Sequence, residues 1–229
     1  MKKIITVCGH SFLLLNGAKI ALDCGANNGK FSEYLNKHSR MKIYSFEPDP
    51  RLFSVLPKLP NVTWHPLAID GDSGEFDLAL GESLCSSAVY NVSANRIRVK
   101  KTSLDDFCAA HGIQKIDFIK LDIEGAELNL LEKAGDTLLC ATKQITVEFH
   151  EFLNKDDLPR IKKIVARLES LGFYFIKFSY HTWGDCLFLN TRLVHVSCFD
   201  KIFFCFIKWF RGFCRITKPE KRSRGKRKL

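Results

Sequence analysis

The amino-acid sequence predicts an α/β fold built on a doubly wound, mostly parallel β-sheet. Apolar runs rich in β-branched residues alternate with segments of helical periodicity, which is typical of right-handed βαβ units. Hydrophobic residues make up 46% of the 229 residues and charged residues 26%, as in ordinary globular domains. This length suits one hydrophobic core and leaves little room for a second domain.

In the first half of the chain, short strands and helices follow one another. Strands are predicted over residues 1–12, 19–25, 41–48 and 61–69. Helices are predicted over residues 29–38 and around residues 49–59. Residues 70–87 are irregular, with glycine and serine at turn spacing and an edge strand in the alternating stretch EFDLAL. Ser86 and Ser87 belong to this irregular stretch, which forms either a lid over a site or a solvated loop.

The second half continues the alternation and ends in a hairpin. A helix is predicted over residues 102–112, with Thr102 or Ser103 as its N-cap and Gly112 at its end. A strand is then predicted over residues 115–125, followed by a helix over residues 126–135. Another strand is predicted over residues 143–151, followed by a helix over residues 155–172. Residues 173–180 and 185–191 are predicted to pair as the last two strands, so that the last strand is antiparallel.

Positive charge is concentrated at the end of the chain. Residues 201–229 contain eleven Lys or Arg and one acid, so this segment carries the whole net charge of +10. The nine cysteines show no C-x-x-C spacing, which argues against a zinc site and a disulfide framework. The N-terminal apolar run is interrupted at Gly9 and His10, which argues against a signal peptide. Reduced thiols and the lack of a recognisable signal predict a cytoplasmic protein.

The stretch IALDCGANNGKFSEYL, residues 20–35, places two glycines between a buried strand and a helix. Ligands of doubly wound sheets bind at the carboxyl ends of strands, and Gly25 and Gly29 allow close approach to the backbone there. Asp23 favours a ligand with a positive charge, and Glu47, which ends the next strand, suits two ribose hydroxyls. A nucleoside joined to an amino acid describes S-adenosylmethionine. The turn lacks the second glycine of G-x-G-x-x-G, which counts against the alternative of an NAD-type dehydrogenase.

Several segments share the order and spacing of a known family: LDCGANNGKFSEYL, YSFEPDP, TSLDDF, IDFIKLDIEGAELNLLEKAG and ITVEFHE. Over about residues 19–190 the chain resembles the FkbM-type family of S-adenosylmethionine-dependent methyltransferases. The resemblance implies a class I, Rossmann-like sheet of seven mostly parallel strands with an antiparallel last strand. It also implies methyl transfer, commonly to a hydroxyl of a sugar or small metabolite. The implied cofactor-binding residues are Asp23, Gly25, Asn27, Gly29, Glu47, Pro48, Asp49 and Asp70.

Ionisable residues gather near the ends of two neighbouring predicted strands. Lys120, Asp122 and Glu124 alternate along one strand, which predicts that they share one face. Glu148 and His150 do the same on the next strand, so the two groups are predicted to converge as the catalytic set. His150 is the best candidate for a general base near neutral pH, with Glu148 or Asp122 as alternatives for base or for orienting the acceptor.

Two further interpretations of this cluster stay open. Glu124, at the start of a predicted helix, is placed to cap that helix. Asp122, Glu148 and His150 are also residue types that bind divalent metals. The predicted site nevertheless contains no metal.

The predicted methyltransferase domain spans residues 1–196. It is followed by a predicted basic amphipathic helix over residues 197–217 and by a predicted disordered basic tail over residues 218–229. Four basic residues lie within about a quarter-turn of one another, with most of the Phe and Trp residues opposite and Phe204 at the basic edge. They are Lys201, Lys208, Arg211 and Arg215. Residues 199–229 therefore suit an anionic membrane surface, with packing on the globule or on a second subunit as the alternative. The neutral body argues against a nucleic-acid partner.

The sequence thus predicts O-methylation of a hydroxyl on a sugar, glycolipid or small metabolite, at the cytoplasmic side. A degenerate, non-catalytic member that binds cofactor or a partner is the alternative, and the presence of Asp23 and Glu47 argues against it. The region before residue 19 is short, so an element that covers the substrate is expected to be reduced or missing. No pattern encodes the acceptor or the oligomeric state.

Overall fold

The computed structural model describes residues 3–80, 95–151 and 154–217, with residues 208–217 described by their backbone. Ser86, Ser87 and residues 218–229 lie outside the described residues, so the predictions for them stay predictions. The strands are β1 Ile4–Val7, β2 His10–Leu13, β3 Ile20–Cys24, β4 Lys42–Phe46, β5 Val62–His65, β6 Ala68–Asp70, β7 Gly74–Ala79, β8 Arg96–Ser103, β9 Phe118–Leu121, β10 Gln144–Val147, β11 Phe173–Lys177 and β12 Cys186–Asn190. The helices are α1 Lys30–His38, α2 Pro50–Phe53, α3 Leu104–Ala110, α4 Glu127–Lys133, α5 Asp136–Cys140, α6 Leu158–Ser170 and α7 Cys198–Thr217.

The central sheet contains seven strands in the order β11-β12-β10-β9-β3-β4-β5. Neighbouring strands are parallel except around β12, which runs antiparallel to both β10 and β11. The chain order reverses at β3, between β9 and β4, which is where ligands bind in doubly wound sheets. The predicted seven-stranded, mostly parallel sheet with an antiparallel last strand is confirmed.

Both faces of this sheet are covered. On one face α3, α4 and α6 bury Leu104, Leu130 and Leu168 in the main core. On the other face α1 packs Phe31 against Phe12 of the β1–β2 hairpin, with ring centroids 5.5 Å apart. All five residues of β12 are buried, because its side chains enter a core on each face in turn.

The N-terminal segment forms a hairpin, so the prediction of a single first strand is wrong. Strands β1 and β2 pair antiparallel with Val7 opposite His10. Cys8 and Gly9 form the two-residue turn, with φ of 48° and 88°. Two successive positive φ values match the type of tight turn whose twist suits a hairpin. Gly9, which interrupts the apolar run, therefore marks this turn.

The predicted strand over residues 61–69 is in fact two strands. Strand β5 belongs to the central sheet, whereas β6 belongs to a separate three-stranded sheet with the order β6-β8-β7. Pro66 lies between them and has no N–H to donate to a ladder, which separates the two pairings. The predicted edge strand EFDLAL is β7, at an edge of the small sheet. The sequence interpretation contained neither β8 nor α5.

Local signals place most of the helices. The Ser103 hydroxyl caps α3 by accepting a hydrogen bond from the Asp106 N–H at 3.0 Å, which confirms one of the two predicted caps. Pro159 lies in the first turn of α6, as predicted. Helix α7 coincides closely with the predicted helix at residues 197–217. Among the described residues, no helix has both the length and the apolar character that crossing a bilayer requires.

Candidate active site

The turn between β3 and α1 brings two strand ends into contact. Gly25, Asn27 and Gly29 have positive φ values of 84°, 51° and 77°. A Cβ on Gly25 would lie 1.8 Å from the backbone oxygen of Asp122, so this crossing requires glycine. Gly29 precedes α1 in the left-handed conformation. The close approach at Gly25 is therefore to the protein's own backbone, next to the site.

Glu47 follows β4, and two backbone N–H groups orient its carboxylate. The Asn27 N–H donates to Oε2 at 2.7 Å, and the Asp49 N–H donates to Oε1 at 2.9 Å. Burial raises the pKa of Glu47 to about 7, although these two hydrogen bonds favour the ionised form. Glu47 is thus a fixed carboxylate whose charge changes near neutral pH.

A cavity opens beside Glu47 at the carboxyl ends of β3, β4 and β9. Its empty space of about 730 Å³ includes a part that is open to solvent. Its apolar wall includes Phe46, Leu52, Ile69, Phe76 and Leu78. Five of the predicted cofactor-binding residues line it: Gly25, Asn27, Glu47, Pro48 and Asp70. Two of the predicted catalytic residues, Asp122 and Glu124, line it as well. The cavity therefore joins the two predicted parts of the site.

Asp23 lies beneath the turn, outside the lining of this cavity. Its side chain is completely buried, accepts a hydrogen bond from Ser32 Oγ at 2.6 Å and pairs with the Lys120 ammonium at 3.3 Å. Lys120 also donates to the Gly25 backbone oxygen at 2.6 Å and pairs with Asp122 at 3.4 Å. Burial disfavours the ammonium, but the two carboxylates raise the pKa of Lys120. These contacts tie β3 to β9, and a contact of Asp23 with a cofactor stays a prediction.

Two other predicted cofactor-binding residues have intramolecular partners. Asp49 is the N-cap of α2 and forms an ion pair with the Arg51 guanidinium at 2.6 Å. Asp70 accepts a hydrogen bond from Asn129 Nδ2 at 2.7 Å and pairs with Lys101 Nζ at 2.7 Å. Asp49 lies outside the cavity lining, as Gly29 does, whereas Asp70 lines it as a carboxylate already opposed by a cation. Their predicted roles stay predictions.

The predicted catalytic residues other than Lys120 lie beyond the ends of their strands. Strand β9 ends one residue before Asp122, and β10 ends one residue before Glu148. The predicted alternation along two strands is therefore wrong, although the side chains do converge. Glu124 has a φ of 53°, which is uncommon outside glycine, and this turn brings its carboxylate to 3.4 Å from His150 Nε2.

Asp122 lies at the centre of this cluster. Its Oδ1 is 3.8 Å from His150 Nε2, and its Oδ2 is 3.3 Å from His10 Nε2. Burial alone would raise the pKa of Asp122, but Lys120 and His10 hold it well below its usual range. Burial and the Asp122 charge raise the pKa of Glu148. The same two causes raise the pKa of Glu124, although the His150 charge acts to lower it. Asp122 is therefore ionised at neutral pH, and its neighbours Glu124 and Glu148 hold protons more readily.

Glu127, on α4, holds His150, and the sequence interpretation gave Glu127 no role. His150 Nδ1 lies 3.0 Å from Glu127 Oε1. The buried Glu127 carboxylate is itself fixed by the N–H groups of Ile123 at 2.7 Å and Gly125 at 3.0 Å. Burial disfavours the imidazolium, but Glu127 and the neighbouring carboxylates raise the pKa of His150 to about 9. At neutral pH His150 is thus a cation, which is not the state of a general base.

His10 reaches the cluster from the N-terminal hairpin. It is completely buried, and the hairpin is anchored beside it by Ser11, whose N–H and hydroxyl donate to the Asp185 carboxylate at 2.9 and 2.7 Å. His10 and Asp122 are 112 residues apart in the chain, so no local pattern marks His10 as a site residue. The short N-terminal region, expected to leave the substrate side uncovered, contributes a buried side chain here.

Two sets of side chains place possible metal ligands within 4.8 Å of one another. The sets are His10, Asp122 and Glu148, and Asp122, Glu124 and His150. In the second set the imidazole of His150, whose pKa is raised to about 9, would have to lose its proton before it could bind a metal. Asp122, which belongs to both sets, lies 3.4 Å from the Lys120 ammonium. Carboxylates outnumber these cations among the described residues of the cluster, which therefore suits a positively charged ligand.

Comparison with known proteins shows which family the chain belongs to. Residues 23–175 match the model of the methyltransferase FkbM domain. The chain is 29% identical over 198 residues to 2-O-methyltransferase NoeI of Sinorhizobium fredii (strain NBRC 101917 / NGR234), covering 76% of this chain and 80% of that protein. It is 26% identical over 213 residues to methyltransferase sdnD of Sordaria araneosa, covering 75% and 80%. A solved structure, the Methanococcus jannaschii fibrillarin pre-rRNA processing protein, is 15% identical with a TM-score of 0.44, covering 82% and 70%. Since the family match spans well over half of its residues, the chain belongs to the FkbM methyltransferase family.

Proposed function

We propose that this methyltransferase binds S-adenosylmethionine in the cavity beside Glu47. The Glu47 carboxylate, oriented by two backbone N–H groups, is placed to accept hydrogen bonds from both ribose hydroxyls. The apolar wall that includes Leu52 and Phe76 suits a purine ring. Asp122 and Glu124 line the same cavity and suit the positive charges of the sulfonium and amino groups. The fixed carboxylate of Glu47 in this cavity is the observation that carries the proposal.

The proposed acceptor is a hydroxyl group of a sugar, glycolipid or small metabolite. The relative NoeI is, by its name, a 2-O-methyltransferase. The acidic cluster next to the cavity provides groups that can take the proton that a hydroxyl loses on methylation. Bound S-adenosylmethionine would supply the electrophilic methyl group.

Four residues of the cluster receive different proposed roles. Glu124 and Glu148 are the proposed proton acceptors, because a carboxylate with a raised pKa is the better base. Asp122 stays ionised and orients the acceptor by its charge. His150, as an imidazolium 3.4 Å from Glu124, is a positioning residue for that carboxylate.

Calorimetric titration of the purified chain with S-adenosylmethionine, and in parallel with NAD, tests the cofactor. Saturable binding of S-adenosylmethionine alone is expected. Binding of NAD alone, or of neither compound, would refute the proposed cofactor site.

Transfer from methyl-tritiated S-adenosylmethionine to a panel of sugars and glycolipids tests the reaction. Glu148→Gln is expected to lower kcat by roughly 100-fold with cofactor affinity nearly unchanged, because Glu148 lies outside the cavity lining and a base acts only in the chemical step. Glu124→Gln is expected to lower kcat and also to weaken cofactor binding, because Glu124 lines the cavity. The exposed Glu169→Gln is the matched control. Cofactor binding without transfer to any hydroxyl would favour the non-catalytic alternative.

A further inference from the structure

Helix α7 presents a row of large apolar side chains to solvent. Phe199 is 81% exposed, Ile202 is 67% exposed and Phe206 is 57% exposed. Their spacing of three and four residues places them on one face of α7, and we call these three residues the apolar row. In the sequence the same spacing continues with Trp209, Phe213 and Ile216. Three large apolar side chains exposed side by side mark an interaction surface more strongly than single ones do.

A different face of α7 attaches the helix to the rest of the protein. Phe204 is completely buried in the core that contains Leu187 and Leu189 of β12. The Lys201 ammonium lies 4.9 Å from the centre of the Tyr174 ring on β11. The sequence had placed Phe204 at the basic edge of the helix, whereas in the structure it is the anchor. Since α7 is packed through this face, the apolar row is held facing outward.

The apolar row begins the most basic segment of the chain. Residues 201–229 contain eleven Lys or Arg and one acid, and seven of these basic residues lie in residues 218–229. The preceding part of the chain has no net charge. A partner of this segment must therefore offer both an apolar phase for aromatic side chains and a high density of negative charge. The surface of an anionic lipid bilayer has both properties.

We propose that α7 lies on an anionic membrane surface, with the apolar row inserted at the boundary between headgroups and acyl chains. A second copy of the chain fits this surface less well, because pairing would bring together two segments that each carry +10. Helix pairing through such a spacing also favours Leu, Ile and Val over Phe and Trp. A nucleic acid would match the positive charge but leave the apolar row in water. This proposal does not depend on the proposed reaction.

Co-sedimentation of the full chain with vesicles tests the proposal. We expect binding to phosphatidylcholine vesicles that contain phosphatidylserine, weak binding to phosphatidylcholine alone, and release at high salt. The double variant F199S/I202S is expected to bind roughly 10-fold or more weakly, because two exposed side chains no longer leave water on binding. Val55→Ser, at an apolar side chain that is 73% exposed in the turn after α2, is the matched control and is expected to bind like the wild type.

A second variant and a mass measurement separate the possible partners. K221Q/R222Q/R224Q is expected to weaken binding to the anionic vesicles by roughly 10- to 100-fold, because each base near the surface contributes to binding. Unchanged vesicle binding by F199S/I202S, or equal binding to neutral vesicles, would overturn the proposal. A dimer in light scattering that F199S/I202S dissociates would overturn it too, because the row would then be an interface between copies. An unchanged circular dichroism melt confirms that the variants are folded.

Discussion

Glu47→Gln tests the proposed cofactor site most directly. The substitution keeps the size of the side chain but removes its charge and one of its two acceptor oxygens. In the wild type two backbone N–H groups donate to the two carboxylate oxygens at 2.7 and 2.9 Å. In the variant one of these N–H groups faces the side-chain NH₂ group, which cannot accept its hydrogen bond. Hydrogen bonds to a charged group contribute about 1.5–3 kcal/mol each. We expect a loss of about 3 kcal/mol in the binding of S-adenosylmethionine, or roughly 100-fold in Kd.

The pH dependence gives an independent readout of the same residue. Glu47 has a pKa of about 7, and ribose hydroxyls bond best to its ionised form. Affinity measured by calorimetry is therefore expected to fall about tenfold per pH unit below the pKa and to be constant above it. Because folding raises this pKa, the protonated carboxyl stabilises the ligand-free fold at low pH, and that stability is lost as pH rises from about 4.5 to about 7.

Glu47→Gln is expected to abolish both pH effects, whereas the exposed Glu169→Gln preserves them. Unfolding by urea at several pH values measures the stability, and the calorimetric titrations measure Kd. A wild-type Kd that does not change between about pH 5.5 and 8 would refute the reasoning. So would a Glu47→Gln variant that binds the cofactor as tightly as the wild type.

Two further predictions concern the turn and the histidine. Gly25→Ala places a Cβ 1.8 Å from the Asp122 backbone oxygen at a φ of 84°, so we expect a loss of roughly 3 kcal/mol in unfolding free energy. Gly112→Ala is the control, because Gly112 has a φ of 64° but no atom lies within 4 Å of the added Cβ. We expect it to lower the unfolding free energy by roughly 1 kcal/mol. Equal losses in the two variants would contradict the steric argument. Glu127→Gln is expected to lower the pKa of His150 from about 9 by roughly one unit or more in an NMR titration, since it removes the carboxylate 3.0 Å from Nδ1. An unchanged pKa of His150 in Glu127→Gln would disprove the coupling between the two residues. Because folding raises the pKa of His150, its protonation stabilises the fold below pH about 6.5, and this stabilisation is lost as pH rises through about 9.

Local sequence patterns were sufficient for the order of most elements. Apolar runs and helical periodicity each span only a few residues, and the signals that begin helices, such as Ser103, act within one turn. The same patterns failed where an interruption was ambiguous. Gly9 and Pro66 each divide what reads as one apolar strand, and deciding between a bend and a break requires knowing which neighbour the segment pairs with.

The sequence also predicted that several of these side chains converge, but for a partly mistaken reason. Asp122 and Glu124 were selected because they alternate with Lys120, yet only Lys120 lies within the strand, and the left-handed turn at Glu124 sets the position of the other side chains. Lys120 and Asp23 are buried against each other rather than directed into the cavity. Periodicity predicts which way each side chain points only while the residues belong to the assumed strand or helix. Beyond the end of that element it no longer predicts the side-chain direction.

The sequence alone was sufficient to predict a doubly wound α/β fold with a neutral body and a basic C-terminal segment, because composition and periodicity are local properties. Methyl transfer followed from the resemblance of its motifs to a known family. Tertiary structure alone decides that His10 joins Asp122 across 112 residues of chain and that the Glu127 carboxylate lies 3.0 Å from His150 Nδ1. It also decides that Phe204 rather than Phe206 anchors α7. Burial and Coulomb interactions depend on which groups lie within a few ångströms in space, and distance along the chain does not specify that.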